Sequence, residues 1–391
     1  MFRGKEVGYL RVKIKMKGIN IINELFRPFA SFPNNGKIKK NVLYFINLTK
    51  FHVYEQLLVE ESLYRLSSHL SNDLNNVGFV IINNTYTDGE QGEKGVRCKG
   101  DEQRNMVNNK CIVLGISGKV NDYIKDASYV KGNKICIIKR FTGGGTVYMN
   151  KNCLLLSFIL PHNFEKEKKI YPSNITEWIF KFIYKPFTDE KRKNSSLFNE
   201  NFYYHENDFV YKTYDKENEK IILKKVGGNA QAFSKNYFVH HTSFIWYCNY
   251  QEMENVLLNP VKQPVYRNKR SHNNFLQSLK SCLHKNVDTP NLFIQQFISH
   301  IREIINKKNS VQKEEFWYFN SIYLNINEDK AKSSFHPFDN VHMVHVDLLR
   351  DIFLFYTNHG KTTNLRSTHF LDAHGNKVPD TYYQYQSFIL T

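Results

Sequence analysis

Lys139-Arg140-Phe141-Thr142-Gly143-Gly144-Gly145-Thr146-Val147-Tyr148 is the stretch whose reading decides the fold. Three successive glycines after the apolar strand expected over 134–139 remove every β-carbon, so backbone amides can come close to a flat or anionic ligand. The stretch lacks the closing Gly-Lys-Ser/Thr of a P-loop, and its glycine spacing does not fit a dinucleotide fingerprint. Read alone it is either a tight turn or, with Arg140 beside it, an anionic ligand site.

A second segment, Lys225-Val226-Gly227-Gly228-Asn229-Ala230-Gln231, repeats the arrangement. A lysine closing a strand just before two glycines can be held rigidly against a phosphate or carboxylate. The alternative is a pair of solvated lysines, with Lys224 on the opposite strand face. Strands over 209–214 and 220–226 flank the charged tip 215–219, which predicts a hairpin delivering Lys225. Glu206-Asn207-Asp208 precedes it; Asn-Asp is a common turn element, yet an aspartate there could hold Mg²⁺ between phosphates.

Outward from these segments, the pattern turns helical after Phe51, with Val59, Leu63, Leu66 and Leu70 on one face and Glu60 and Glu61 on the outer turns. A buried strand follows over 79–82, then a polar loop over 83–110 and a strand over 111–115. A helix is predicted over 175–184, capped by Asn174 with Glu177 reaching back. Residues 239–248 read as another strand, and a helix opens at Thr289-Pro290 with Phe293, Phe297, Ile301 and Ile304 on one face. Strand-like stretches at 317–323, 341–349 and 382–390 suggest a second, smaller domain beyond 286.

The chain of 391 residues is 41% hydrophobic and 23% charged, which excludes a mainly disordered protein. Six cysteines, Cys98, Cys111, Cys136, Cys153, Cys248 and Cys282, form no CxxC pair and read as free thiols in a reducing compartment. His240 and His241 cannot both face one ligand in a strand, and one buried and one surface histidine are expected. His342 and His345 likewise point to opposite strand faces, and neither they nor His336 suggest zinc. The net charge is +17, and residues 1 to 50 hold eleven Lys or Arg against only Glu6 and Glu24. This cationic leader, interleaved with Ile and Leu, reads as an organelle transit segment over 1–45, mitochondrial or alternatively plastid. A basic surface tail and an arm for nucleic acid are the competing readings, and no nucleic-acid partner or transmembrane segment is expected.

Together these segments resemble the lipoate-protein ligase family, within the wider group of octanoyltransferases and biotin-protein ligases. The resemblance is carried by Leu57-Leu58-Val59-Glu60-Glu61, 113–119, 139–148, 206–210, 225–231, and His240-His241-Thr242-Ser243-Phe244. It runs from about 52 to 285 and includes Pro260-Val261-Lys262-Gln263-Pro264-Val265-Tyr266-Arg267, similar to eukaryotic members. It implies an α/β (α+β) fold: a mixed β-sheet flanked by helices in a catalytic domain over 46–285, with a small accessory domain over 286–391. It implies an enzyme that joins lipoate to ATP with Mg²⁺, making lipoyl-AMP, then passes the acyl group to one lysine of a lipoyl domain. The implied partners are lipoyl domains of 2-oxoacid dehydrogenase E2 subunits and the glycine cleavage H protein, met by a monomer. Lys225 matches the catalytic lysine and Arg65 an arginine near the lipoyl end. Arg140, Thr142, Gly143, Gly144, Gly145, Thr146 and Val147 would line the acyl-adenylate tunnel. Asn207 and Asp208 would face adenylate or metal, Asp208 being the Mg²⁺ candidate, and Gly227, Gly228, Ala230 and His241 would complete the site.

Two positions depart from the family. Met149 stands where many members place histidine, and Asn150-Lys151-Asn152-Cys153 replaces the usual Asp-x-Gly-Asn. These departures leave open a transferase that accepts lipoyl-adenylate made by a separate activating enzyme. Further alternatives are an octanoyltransferase using Cys248 and a non-catalytic lipoyl-domain binding protein.

Overall fold

The computed structural model describes residues 39–49, 51–70, 76–85, 110–165, 168–188, 197–215, 219–247, 250–311, 315–325, 341–345, 366–385 and 387. Its centre is β1 (Lys39–Asn47), whose residues alternate between two cores: Val42, Tyr44 and Ile46 point to one, Leu43 and Phe45 to the other. A strand buried on both faces needs apolar residues at every position, which is why β1 and its neighbours β2 (Val77–Asn84) and β6 (Cys153–Pro161) read as continuous apolar runs. The other strands follow as β3 (Cys111–Leu114), β4 (Cys136–Lys139), β5 (Val147–Met149), β7 (Phe202–His205), β8 (Asp208–Asp215), β9 (Lys220–Lys225), β10 (Gly227–Phe233), β11 (Tyr237–Ile245), β12 (Glu315–Asn325), β13 (Val341–His345), β14 (His369–Leu371) and β15 (Lys377–Val378).

They form a seven-stranded sheet in the order β10-β11-β6-β2-β1-β12-β13, a five-stranded sheet β15-β14-β4-β3-β5, and a three-stranded sheet β7-β8-β9. The large sheet is mixed, parallel from β2 through β1 and β12 to β13 and antiparallel from β2 through β6 and β11 to β10. This is the mixed α/β architecture expected from the sequence, carrying an extra C-terminal region. That region is built into the same sheets: β12 pairs with β1, and β14 pairs with β4. The leader boundary expected at 45 falls inside β1, and residues 1–38 lie outside the described residues.

Helix α1 (Val53–Leu70) covers one face of the large sheet. The sequence places Glu60 and Glu61 on its outer turns, whereas they are 0% and 2% exposed. Glu60 faces the sheet, where Ser157 and His241 meet it, and Glu61 faces the C-terminal segment, which lies on the helix's other side: Phe370 stacks on Tyr54 with ring centroids 3.8 Å apart. Glu61 accepts the amides of Ser367 and Thr368 at 2.7 and 2.8 Å, which compensates its burial. A helix predicted amphipathic is therefore enclosed on both sides.

The opposite face is covered by a long helix over Pro290–Val311, which buries Phe293, Phe297, Ile301 and Ile305. Each such side chain contributes roughly 1.5–3 kcal/mol of transfer free energy. The helix expected over 175–184 is α-helical over Ile175–Ile179 and continues as a π-helical turn over Phe180–Tyr184. Asn174 makes no side-chain cap to it; its Oδ1 accepts the Tyr171 amide at 2.8 Å instead, because the chain doubles back before the first turn. The strand expected from Tyr382 is absent through Tyr385. There Tyr383 and Tyr385 pack their rings on Phe370 and His52. Among the described residues no helix is long and apolar enough to cross a membrane.

Candidate functional site

Strand β4 ends by delivering Arg140, 2% exposed, into the turn that follows. Its Nη2 donates to the carbonyls of Gly143 and Gly145 at 2.8 and 2.7 Å, Nη1 to Val113 at 3.2 Å, and Nε to Thr142 Oγ1 at 2.9 Å. Burial pushes its pKa down to about 10, against the pull of Glu60, so the group stays charged at neutral pH. Arg140 is thus the strut of the triglycine turn, holding the turn's own carbonyls.

The glycines are not equivalent. Gly144 sits at φ 95°, and a Cβ there would lie 2.9 Å from Asn229 O and 3.1 Å from Ala230 Cβ. Gly143 donates its amide to Gln231 O at 3.0 Å, so the turn is tied to β10. Gly227 and Gly228 start β10, and a Cβ on Gly228 would meet Val147 Cγ1 at 2.6 Å. Glycine at these places lets β10, β5 and the turn approach within backbone contact. Thr146 Oγ1 is buried beside them with no hydrogen-bond partner among the described residues.

Where these pieces meet lies a cavity of about 20 Å³, with an apolar wall of Val53, Leu57, Val113, Val147, Met149 and Leu155. Its polar side includes Arg140, Asn229, His241 and Thr242, with Gly228 and Ala230 between them. A water needs roughly 10–15 Å³ and small-molecule sites span roughly 300 Å³ or more, so an acyl chain enters only if the wall moves.

His241 is the inward histidine, not a surface one. Its Nδ1 lies 2.9 Å from Glu60 Oε2, while Glu60 Oε1 accepts from Gln56 Nε2 at 2.7 Å and from Ser157 Oγ. His240 is fully buried on the other strand face; its Nε2 lies 3.4 Å from Thr176 Oγ1, and burial holds its pKa down at about 3. Arg65 does not line the cavity: it pairs with Glu61 at 2.7 Å and donates to Ser367 Oγ at 3.0 Å. The C-terminal segment claims it.

Beside the cavity, β7 and β8 are joined by Glu206 and Asn207 at φ 46° and 65°, the paired positive angles of a two-residue hairpin turn. Asn229 Nδ2 donates to the Asn207 carbonyl at 3.3 Å, linking the turn to β10. The turn places Asp208 at the start of β8, where its Oδ1 accepts from Lys225 Nζ at 2.6 Å. Its Oδ2 accepts from Tyr266 OH at 2.9 Å. Asp208 does not fit the Mg²⁺ expected of it. Both oxygens are engaged, one by an ammonium that repels a cation.

Arg140, Val147, Gly228, Ala230 and His241 line one cavity, while Asn207, Asp208 and Lys225 form a neighbouring group joined to it through Asn229, and Arg65 lies in neither. Glu60, Ser157, Asn229 and Tyr266 belong to the same constellation without having been singled out. Two acids directly after the apolar run Leu57-Leu58-Val59 were the available signal for Glu60. Cys111, Cys136, Cys153 and Cys282 are buried and their thiols are pushed up, Cys136 and Cys153 to about 12, which disqualifies them as nucleophiles. Cys248, proposed for the octanoyltransferase reading, lies outside the described residues.

The mixed sheet, its flanking helices and the glycine turns at one edge define an α/β protein of the biotin and lipoate ligase-like class. The family described as "Lipoyl protein ligase A/B catalytic domain" matches residues 98–302, and the chain belongs to that family. It is 52% identical over 392 residues, 96% of this chain and 100% of the relative, to a Plasmodium falciparum protein named "Inactive lipoate--protein ligase 2". Among solved structures, a Thermoplasma acidophilum bi-partite lipoate protein ligase with its E2 lipoyl domain is 15% identical at a TM-score of 0.47, covering 88% of this chain and 99% of that one. A T. acidophilum protein solved with bound lipoic acid is 14% identical at 0.42, covering 72% and 89%.

The relative's name corrects the reading of this chain as a self-sufficient lipoate-protein ligase. Enzymatic ligase activity, ATP binding, and ATP with Mg²⁺ as its own cofactors are withdrawn on that ground. The doubly engaged Asp208 agrees with the correction.

Proposed function

We propose that this chain is the non-activating part of a lipoylation system. It receives lipoyl-adenylate made by a separate lipoate-activating protein and passes the lipoyl group to a lysine of a lipoyl domain, such as that of a 2-oxoacid dehydrogenase E2 subunit or the glycine cleavage H protein. The observation carrying this reading is Lys225, fixed at 2.6 Å by Asp208 on the hairpin that leads into β10. A positioned cation suits transfer, where negative charge develops on the carbonyl and the leaving phosphate.

In the transfer, the acceptor amine attacks the acyl carbon, a C–N bond forms, and the C–O bond to the phosphate breaks with its electron pair leaving on AMP. The proton released from the amine passes to solvent. Lys225 serves as the fixed ammonium facing charge that develops on the carbonyl and the leaving phosphate. The turn 143–145 and the apolar wall would hold the acyl end, each buried methylene contributing about 0.8 kcal/mol. Gly228, Ala230 and His241 bound the same slot, whereas Gly227 faces Thr242 and Phe244. The basic, acid-poor leader supports a mitochondrial location, with the plastid as its alternative.

The test supplies an apo lipoyl domain with preformed lipoyl-adenylate and, in parallel, with lipoate, ATP and Mg²⁺. Mass gain on the domain only in the first reaction is expected; gain in neither overturns transfer. The second reading, a lipoyl-domain binding protein without chemistry, is favoured by the cavity of about 20 Å³. It predicts domain binding with no mass gain in either reaction.

A further inference from the structure

Tyr266 lies in a segment that carries no assigned role, yet it touches the pair on which the proposed transfer depends. Its phenol donates to Asp208 Oδ2 at 2.9 Å while Lys225 holds Oδ1 at 2.6 Å. The carboxylate is buried, and a carboxylate with both oxygens engaged cannot swing. The segment is anchored to both strands it bridges. The Val265 amide donates to Glu206 Oε2 at 3.0 Å, on the turn before Asp208. Arg270 Nη2 donates at 2.8 Å both to Leu223 O, on β9 just before Lys225, and to Tyr266 O. The ring itself is braced by Phe275 and by the edge of His205, each with centroids 5.3 Å away. Burial, and next the Asp208 charge, push the phenol's pKa up, so it remains a donor.

We propose that Tyr266 is a positioning residue which acts on Lys225 through Asp208, locking the carboxylate so that the ammonium keeps one orientation beside β10. The inference rests on the transfer reading above for its consequence in turnover, but its geometry stands on the Tyr266–Asp208–Lys225 chain alone. Tyr266 touches no reacting atom. It removes rotational freedom from the group that does.

The experiment compares the wild-type full chain with Tyr266→Phe, which keeps the ring and its two braces and removes only the hydroxyl. Competitive acylation with acetic anhydride, followed by peptide mass spectrometry, reads the reactivity of Lys225. Transfer from preformed lipoyl-adenylate reads kcat and the KM for the lipoyl domain. Labelling of Lys225 several-fold faster, with kcat reduced about tenfold and KM unchanged, is expected from the loss of one hydrogen bond to a charged group. Unchanged labelling overturns the inference, whether or not transfer occurs. Changed labelling with unchanged kcat also overturns it, because Tyr266 is then structural only. A wild-type chain that transfers nothing while Tyr266→Phe alters labelling sinks the transfer reading and leaves the lock on Lys225 standing. Tyr266→Ala, which removes the braces too, should lower the unfolding midpoint where Tyr266→Phe does not.

Discussion

Arg140 and Lys225 are both cations next to a run of glycines, yet they are held in opposite ways. Arg140 is enclosed and spends its donors on the carbonyls of Val113, Gly143 and Gly145 and the hydroxyl of Thr142. Lys225 keeps a 22% exposed side chain and faces a carboxylate. A guanidinium satisfied by its own loop organises backbone; an ammonium paired with an acid and open to solvent can exchange that partner for a phosphate or a developing oxyanion. Nearness to a glycine turn does not by itself make a cation a ligand group. What its donors already hold decides that.

The contrast is broken if the two substitutions behave alike. Arg140→Ala leaves buried carbonyls without donors and should cost about 3–5 kcal/mol of unfolding free energy in denaturant titration. Lys225→Ala leaves the buried Asp208 carboxylate to Tyr266 alone, so it should still fold with a smaller loss of stability than Arg140→Ala, and lower transfer from preformed lipoyl-adenylate by about 10²–10³-fold. A folded, stable Arg140→Ala protein would remove the structural half of the comparison, and full transfer by Lys225→Ala the chemical half.

A smaller effect is expected on α1. Glu61→Ala removes the acceptor of the Ser367 and Thr368 amides and the partner of Arg65, so the C-terminal segment should loosen at a cost of about 1–3 kcal/mol. Hydrogen exchange at those two amides should accelerate while exchange in β1 stays slow. Uniform acceleration would mean that the segment and the sheet open as one unit.

Acid should destabilise the fold through His240. Burial holds its folded pKa at about 3, below its ordinary 6.5, so the unfolded chain binds the extra proton between those values. Stability therefore falls as pH drops from about 6.5 towards about 3, by at most about 1.4 kcal/mol per pH unit from this group. Comparing urea midpoints of wild type and His240→Gln from pH 7 to 4 should show a shallower acid slope in the variant.

The strand at 79–82 was legible because burial on two faces demands an unbroken apolar run; Lys39–Asn47 and Cys153–Pro161, buried on both faces in the same way, were not singled out, the first because its start lies in a basic stretch read as leader. The hairpin was legible because its charged tip interrupts two apolar stretches. Glu60 and Glu61 were not, since their burial depends on partners far along the chain: Ser157 and His241 for one, Ser367 and Thr368 for the other. Periodicity reports which face is apolar and is silent on whether a polar face will be covered. Arg65 was misplaced for the same reason. The family pattern puts it near the acyl end, and the C-terminal segment draws it to Glu61 instead. Asn207, Asp208 and Lys225 lie together as the sequence suggests, because local hairpin geometry carries them; Tyr266 joins them only through a contact across the fold.

The finest version of the comparison lies inside the triglycine turn, where three identical residues face different surroundings. Gly144 combines φ 95° with neighbours at 2.9–3.1 Å, so Gly144→Ala meets both backbone strain and the carbonyl of Asn229. The left-handed conformation alone costs an L-residue about 1–2 kcal/mol, and β10 must also shift. At Gly145 an added Cβ meets nothing within 4 Å, and the backbone angle is not in the left-handed region. Gly145→Ala should therefore leave stability unchanged or raise it by up to about 1 kcal/mol, through the unfolded chain's smaller entropy. Equal losses at both positions in denaturant titration would show that the turn is sensitive as a whole. Loss at Gly144 alone would confine the requirement for glycine to the one residue that meets β10.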